Sequence, residues 1–191
     1  MLNLFKEMER ERALNLLQEK IKNQNLIKHS LAVEAGMKAL ASFFKENKDD
    51  WALAGLLHDI DYEETKENFH LHSKMGSEFL MKMGIKKEIC EAILTHNEIH
   101  QILPKTKMAK ALFCLDPLTG LIIASTLVLP SKKIKDLKLE NVLNRFKEKS
   151  FAKNANREII QKCQEYLGLP LEKFIEIVLS AMKEISNDLR L

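Results

Sequence analysis

Six side chains with metal-binding chemistry lie on or beside apolar segments of this sequence: His29, His58, Asp59, His72, His96 and Asp116. The His58–Asp59 pair follows the uncharged run 51–57, which is too continuous for a solvent-facing helix and indicates a buried one. A carboxylate in the interior is costly unless it is paired, hydrogen-bonded or bound to a metal. Imidazoles and carboxylates together suit a divalent transition metal that keeps positions for water and substrate.

The order of these residues resembles a known signature. His29, then His58–Asp59, then Asp116 resembles the H…HD…D pattern of the HD-domain metal-dependent phosphohydrolases. His72, with a glycine four residues later, and His96 resemble the two further histidines of the binuclear, HDIG-type branch. The resemblance covers roughly residues 24–128. It implies one metal site at His29, His58, Asp59 and Asp116, a second at His72 and His96 that shares Asp59, and catalytic roles for Asp59 and His58.

The same resemblance implies an activity. The chain is expected to be an enzyme, a phosphohydrolase that cleaves a phosphate ester or anhydride of a nucleotide or other small phosphorylated metabolite through a metal-activated hydroxide. Its expected cofactor is one or two divalent transition metal ions (Fe, Mn, Zn, Co or Ni), with Mg as an alternative. A second interpretation is a non-catalytic HD module that binds a metal or nucleotide as a sensor or partner-recruiting unit. The intact set of ligands favours the enzyme.

The histidines also allow simpler interpretations. The His58–Asp59 pair alone would indicate a buried, hydrogen-bonded pair, and only the whole ordered set favours metal binding. Either His72 or His96 could instead support a ligand or contact the substrate. His70 is expected in a solvated loop, and His100 at the surface or the rim of the pocket. The segment from His96 to His100 lacks the glutamate after its first histidine that a zinc-protease helix requires.

An acidic segment follows the His–Asp pair, where many HDIG-type proteins have a glycine and a lysine. Asp61 or Glu63 could orient a ligand histidine or relay a proton, or the segment could be an exposed acidic loop. The Gly-Tyr-Pro motif of cyclic-dinucleotide phosphodiesterases is absent from the sequence. The closer resemblance is to small stand-alone HD hydrolases, including the branch that acts on dinucleoside polyphosphates.

Basic residues beyond the core are candidates for a phosphate clamp, because charge-assisted contacts from lysine or arginine commonly hold phosphates. The sequence suggests Lys149 and Arg157 first, then Lys132 and Lys133. These residues could equally form a solvated face. Few aromatic residues accompany them, so stacking on nucleic acid is not expected. The predicted partner is a small phosphorylated substrate, with no nucleic acid.

The composition indicates an all-α fold. Gly and Pro are few, the net charge is only +3, and no alternating strand pattern occurs. A length of 191 residues suits one domain: an HD-domain helical bundle with added N- and C-terminal helices. The expected HD core spans 24–128 and a C-terminal helical extension spans 129–191. Helices are predicted over 4–22, 25–45, 50–58, 72–83, 86–96, 106–128, 156–167 and 170–186, with 131–155 as a basic, partly irregular connection. Asp49 or Asp50 is expected to be the N-cap of the helix over 50–58.

The three cysteines are scattered through apolar helical patterns, which argues against a disulfide framework and for a reducing compartment. The N-terminal residues are acidic and lack the apolar core of a signal peptide. The apolar stretch 111–129 is interrupted by polar residues, so it is expected to be a buried core helix rather than a membrane span. We therefore expect a cytoplasmic protein, monomeric or homodimeric, without a membrane partner.

Overall fold

A computed structural model of the protein describes residues 8–191, and these residues form helices and no strands. The all-α prediction is therefore confirmed for this part of the chain. The first half contains α1 (Arg10–Lys20), α2 (Gln24–Phe44), α3 (Lys48–Leu57), α4 (Tyr62–Thr65), α5 (Lys74–Lys82) and α6 (Lys87–Thr95). The second half contains α7 (Lys107–Leu127), α8 (Leu139–Lys147), α9 (Arg157–Gln161), α10 (Cys163–Leu167), α11 (Leu171–Glu184) and α12 (Ser186–Leu189). Single 3₁₀ turns cover Phe69–Leu71, Glu98–His100 and Ile134–Asp136.

Helix α3 is the buried helix that the apolar run predicted. All of residues 51–57 are buried, and the helix ends at Leu57, so the His–Asp pair follows it directly. Its N-cap is Asn47, whose side-chain oxygen accepts hydrogen bonds from the backbone N–H groups of Asp49 and Asp50, both at 3.0 Å. The prediction that Asp49 or Asp50 is the N-cap is therefore wrong. These acidic residues occupy the first turn instead, where their negative charges interact favourably with the positive end of the helix dipole.

Helix α7 is the central helix. It packs against α2, α3 and α6 of the first half and against α8, α9, α10 and α11 of the second half. By length and composition alone α7 could cross a membrane, but 67% of its apolar window is buried inside the protein. This burial is what a core helix shows. Pro117 lies inside α7, immediately after Asp116.

The C-terminal half is more helical than expected. The predicted irregular connection 131–155 contains α8, and the predicted helix 156–167 is divided at Lys162 into α9 and α10. The predicted first helix, 4–22, is shorter: α1 begins at Arg10, while residues 4–7 lie outside the described residues. Helix α11 packs on α2, so the C-terminal helices pack directly against the first half of the chain. The division into a core and an extension stays a prediction.

The cysteines are all buried and unpaired. Burial raises the pKa of the Cys90 thiol to about 11. It also raises the pKa of Cys163 to about 11. These thiols are therefore small core side chains that stay protonated at neutral pH. The cytoplasmic location stays a prediction.

Candidate metal centre

The structure brings the six candidate side chains to one place, although they come from separate elements. His29 lies on α2, His58 and Asp59 follow α3, His72 precedes α5, His96 follows α6, and Asp116 lies on α7. Their potential ligand atoms form three overlapping groups, within each of which all atoms lie within 4.8 Å of one another: His29, His58 and Asp59; His58, His96 and Asp116; and Asp59, His72 and His96. The role of each residue as a ligand stays a prediction.

Asp59 lies between two pairs of imidazoles and turns one oxygen toward each. Its Oδ2 is 3.8 Å from Nε2 of His29 and 3.4 Å from Nε2 of His58. Its Oδ1 is 3.2 Å from Nε2 of His72 and 3.4 Å from Nε2 of His96. Asp116 joins the first pair, with its Oδ1 2.9 Å from Nε2 of His29. A carboxylate placed in this way can contribute to two cation positions at once.

Each of the four histidines has a hydrogen-bond partner for its other ring nitrogen. Nδ1 of His58 donates to the carbonyl of Gly55 at 2.8 Å, and Nδ1 of His96 donates to the carbonyl of Ile93 at 2.6 Å. Both carbonyls lie three residues earlier, at the end of the helix that each histidine follows. Such outer contacts fix the tautomer in which Nε2 carries the lone pair, which is the form that binds a metal.

The partner of His29 is the hydroxyl of Thr119. Thr119 Oγ1 donates its own proton to the carbonyl of Asp116 at 2.9 Å, so it accepts from Nδ1 of His29 at 3.1 Å. Nε2 of His29 faces Nε2 of His58 at 3.2 Å, and in the metal-binding tautomer each of these nitrogens carries a lone pair. Two acceptors at this distance repel each other unless a positive charge lies near both. These nitrogens therefore suit a cation as ligands, and a metal ion between them would supply the positive charge.

The electrostatics of the centre favour positive charge at the imidazoles. Burial alone would lower the pKa of His72, but hydrogen bonds to Asp59 and Asp61 outweigh it and raise the pKa to about 9. Burial would also lower the pKa of His58, yet the nearby Asp59 and Asp116 raise it well above its ordinary value. Since the same carboxylates attract protons and metal ions, metal binding must displace protons here.

Asp61 is the outer partner of His72. Its Oδ1 accepts from Nδ1 of His72 at 2.8 Å and from the backbone N–H of Ser73 at 3.2 Å. Its Oδ2 accepts from the backbone N–H of Gly76 at 2.6 Å. Asp61 is buried, so of the alternatives for this segment the structure supports the orientation of a histidine. Ser73, also buried, adopts φ 67°, a strained conformation that these contacts hold next to His72.

We expect Asp61→Ala to weaken metal binding on the His72 side. The substitution frees Nδ1 of His72 and removes the acceptor that orients its ring, a loss that typically costs about 10- to 100-fold in metal affinity. Titration of the metal-free protein with Mn²⁺ or Co²⁺ measures the change. Glu63→Ala is the matched control, because the Glu63 carboxylate accepts from the backbone N–H groups of Lys22 and Asn23 instead. Equal affinities in the two variants would contradict the orienting role.

The centre opens on one side. The side chains of His29 and Asp116 are 21% and 27% exposed, whereas that of His58 is fully buried and that of Asp59 is 9% exposed. A cleft of about 440 Å³ adjoins the open side. Its walls are residues of α2 and α7 together with the loop after α8: His29, Asp116, Pro117, Gly120, Ala152, Lys153, Asn154 and Ala155. Part of the basic segment beyond the core, residues 152–155, therefore reaches the open side of the centre.

Arg157, one of the four predicted clamp residues, uses its guanidinium inside the loop. Its N–H groups donate to five backbone carbonyls, those of Arg145, Glu148, Phe151, Ala152 and Ala155. These contacts give Arg157 a structural role and do not support a direct contact with phosphate. Lys149, Lys132 and Lys133 are exposed and do not line the cleft, so their role as substrate contacts stays a prediction.

The two remaining histidines differ in environment. His70 is exposed, as expected. His100 is half-buried, and its Nε2 donates to the backbone carbonyl of His72 at 2.6 Å, which places it at the edge of the centre. Sequence reasoning missed Thr119 and Lys153. Thr119 lies three residues after Asp116 on one helix, a spacing that puts both on the same face and could have indicated it.

Comparison with known proteins agrees with this centre. The HD domain family matches residues 26–121, about half of the chain. Ribonuclease Y of Nitratidesulfovibrio vulgaris is 32% identical over 140 residues, which cover 72% of this chain and 27% of that protein. Ribonuclease Y of Thermotoga maritima is 32% identical over 139 residues, which cover 71% of this chain and 27% of that protein.

The chain thus spans about a quarter of the length of these curated relatives. No solved structure shows a significant match to it. The matched family segment begins before His29 and ends after Asp116, so it encloses all six residues of the centre. Through this segment the chain belongs to the HD-domain family.

Proposed function

We propose that the protein is a metal-dependent phosphohydrolase that cleaves a phosphate ester or anhydride. The observation that carries the proposal is the position of Asp59, with one oxygen toward His29 and His58 and the other toward His72 and His96. This arrangement suits two divalent ions that share one carboxylate. Sites of this kind, with ions about 3.5–4 Å apart, are common in enzymes that hydrolyse phosphate esters.

Some of these residues would bind the metal ions, and others leave a path for the substrate. His29, His58, Asp59 and Asp116 would hold one ion, and His72, His96 and Asp59 the other. Divalent metals in such sites supply Lewis acidity and a nucleophile at neutral pH. The buried rings of His58, His72 and His96 close the centre from behind, while the exposed side of His29 and Asp116 admits the substrate.

The substrate we propose to test first is a nucleotide, in agreement with the resemblance to small HD hydrolases. The relatives are ribonucleases by name, so the expectation that nucleic acid is not a partner has no support from them. RNA therefore belongs among the candidate substrates. All of these compounds share a phosphoryl group that two ions can hold, and the residues around the cleft must decide between them.

The proposal predicts hydrolysis that depends on a divalent metal ion. Purified protein is stripped of metal, reloaded separately with Mn²⁺, Fe²⁺, Co²⁺ or Mg²⁺, and assayed with phosphate monoesters, nucleotides, dinucleoside polyphosphates and short RNA. We expect release of phosphate or nucleotide with at least one pair of metal and substrate, and none with the metal-free protein. Metal binding without hydrolysis of any compound would contradict the proposal and favour a non-catalytic HD module that binds metal or nucleotide.

A further inference from the structure

The loop between α8 and α9, residues 148–156, forms one wall of the cleft beside the metal centre. Arg157 fixes its backbone from behind: Nη1 donates to the carbonyls of Ala152 and Ala155, both at 2.6 Å, and Nη2 donates to that of Phe151 at 2.5 Å. The backbone is thus held on both sides of Lys153. The backbone on such a framework needs little further ordering when a residue of the loop binds a ligand.

The loop is also joined to the metal centre by polar contacts. Nδ2 of Asn156 donates to the Glu98 carboxylate at 3.1 Å, and the same short 3₁₀ turn ends at His100. His100 in turn donates to the carbonyl of His72 at 2.6 Å. This chain of contacts fixes the loop relative to the six clustered side chains, so the cleft has a defined position next to the centre.

Two polar side chains of the loop line the cleft without partners. Within the described range 8–191, neither Lys153 nor Asn154 has a side-chain hydrogen bond or an ion pair, and both are exposed. The remaining residues around the cleft, apart from His29 and Asp116, are uncharged. An anion that enters from the open side therefore meets one exposed ammonium group and one exposed amide, neither of which is engaged by another side chain or by the backbone of the described residues.

We propose that this cleft binds a second phosphate group of the substrate, next to the one that the metal ions hold. Lys153 is its counter-charge and Asn154 a hydrogen-bond donor to it. The proposal rests on the proposed function and deepens it, because it selects substrates with adjacent phosphates, such as nucleoside di- and polyphosphates, over simple monoesters. Lys153 thereby takes the clamp role that the sequence suggested for Lys149 and Arg157.

The test uses two probes that cannot be hydrolysed and differ by one anionic group: methylenediphosphonate and methylphosphonate. Both are titrated calorimetrically into the protein with Mn²⁺ in saturating excess. We expect Lys153→Ala to weaken the binding of methylenediphosphonate by about 5-fold and to leave methylphosphonate unchanged, since one exposed charge pair is lost. Lys153→Arg should restore the affinity, because the positive charge remains.

The matched control is Lys147→Ala, which removes an exposed lysine directly before the same loop that does not line the cleft. A loss as large in Lys147→Ala as in Lys153→Ala, or no loss in Lys153→Ala, would overturn the proposal. Binding is measured without turnover, so the two proposals fail separately. An inactive protein that keeps the Lys153-dependent preference disproves hydrolysis, and an active protein without it disproves the second phosphate site.

Discussion

Replacement of Asp59 with alanine should leave the protein without bound metal and without hydrolytic activity. Among residues 8–191, Asp59 is the one carboxylate with an oxygen 3.2 to 3.8 Å from the Nε2 atom of each of the four imidazoles. Asp116 lies beside His29 and His58, at 2.9 and 3.6 Å, and so cannot take its place next to His72. Without Asp59, the four imidazoles would have to bind divalent ions with the help of a single carboxylate, Asp116, which lies beside His29 and His58. No negative charge would then lie between the two ions to offset their mutual repulsion.

Elemental analysis of protein purified without chelators measures this loss, together with the hydrolysis assay and circular dichroism to confirm the helical fold. His72→Ala is the matched comparison, since it removes one ligand from the second pair and leaves His29, His58 and Asp116 in place. We expect about one ion per chain in His72→Ala and none in Asp59→Ala. If Asp59→Ala keeps two ions, Asp59 does not bridge. If His72→Ala loses both, the six residues form one site.

The second large effect concerns Gly55, where α3 approaches α2 most closely. A Cβ at this position would lie 2.9 Å from Cα of Glu34 and 2.9 Å from the carbonyl oxygen of Val33, both backbone atoms of α2. No side-chain rotation can relieve these contacts, so Gly55→Ala must push the helices apart. Overpacking of this kind costs typically about 1–3 kcal/mol in the free energy of unfolding. It also displaces the Gly55 carbonyl that orients His58.

Urea denaturation with a chelator present measures the effect without a contribution from bound metal. Gly120→Ala is the control, because Gly120 lies within helix α7 and a Cβ there meets nothing within 4 Å. Alanine should stabilise that position by about 0.5–1 kcal/mol relative to glycine. The two substitutions are chemically identical, so the expected opposite signs isolate the helix contact. Equal stabilities would show that α2 and α3 can separate at no cost.

The clustering of the six candidate side chains was the most predictable feature of the molecule, because each of these residues stands beside an apolar segment that must be buried. The run 51–57 forces His58 and Asp59 into the interior, and the apolar faces of α2 and α7 bring His29 and Asp116 to the same side. Burial also explains why helix α3 was predicted closely, whereas its cap was not. Asn47 and Asp50 have similar preferences for that position, and the choice between them depends on how the preceding turn packs.

The loop around Lys153 could not be predicted, for a different reason. Arg157 has the sequence environment of a surface arginine in a basic segment, and nothing local indicates that five carbonyls converge on it. The position of Lys153 at the cleft follows from these contacts of Arg157 with the loop backbone, so it depends on tertiary structure. Helix α8 was missed although it is amphipathic. Its buried apolar residues, Val142 and Phe146, are separated by polar and charged residues, and such a sequence resembles a solvated connection.

The contact between His29 and Asp116, 2.9 Å long, has a consequence for folding. Almost half of the chain lies between these residues, and His58, His72 and His96 come from the segments in between. Closing so long a loop has an entropic cost, which the packing of α2 against α7 and of α3 and α6 against them offsets. A chain that has formed its helices without docking them carries all six side chains and no binding site. The ability to hold a metal there thus requires that α2, α3, α6 and α7 have docked, because no single helix carries more than one of these side chains.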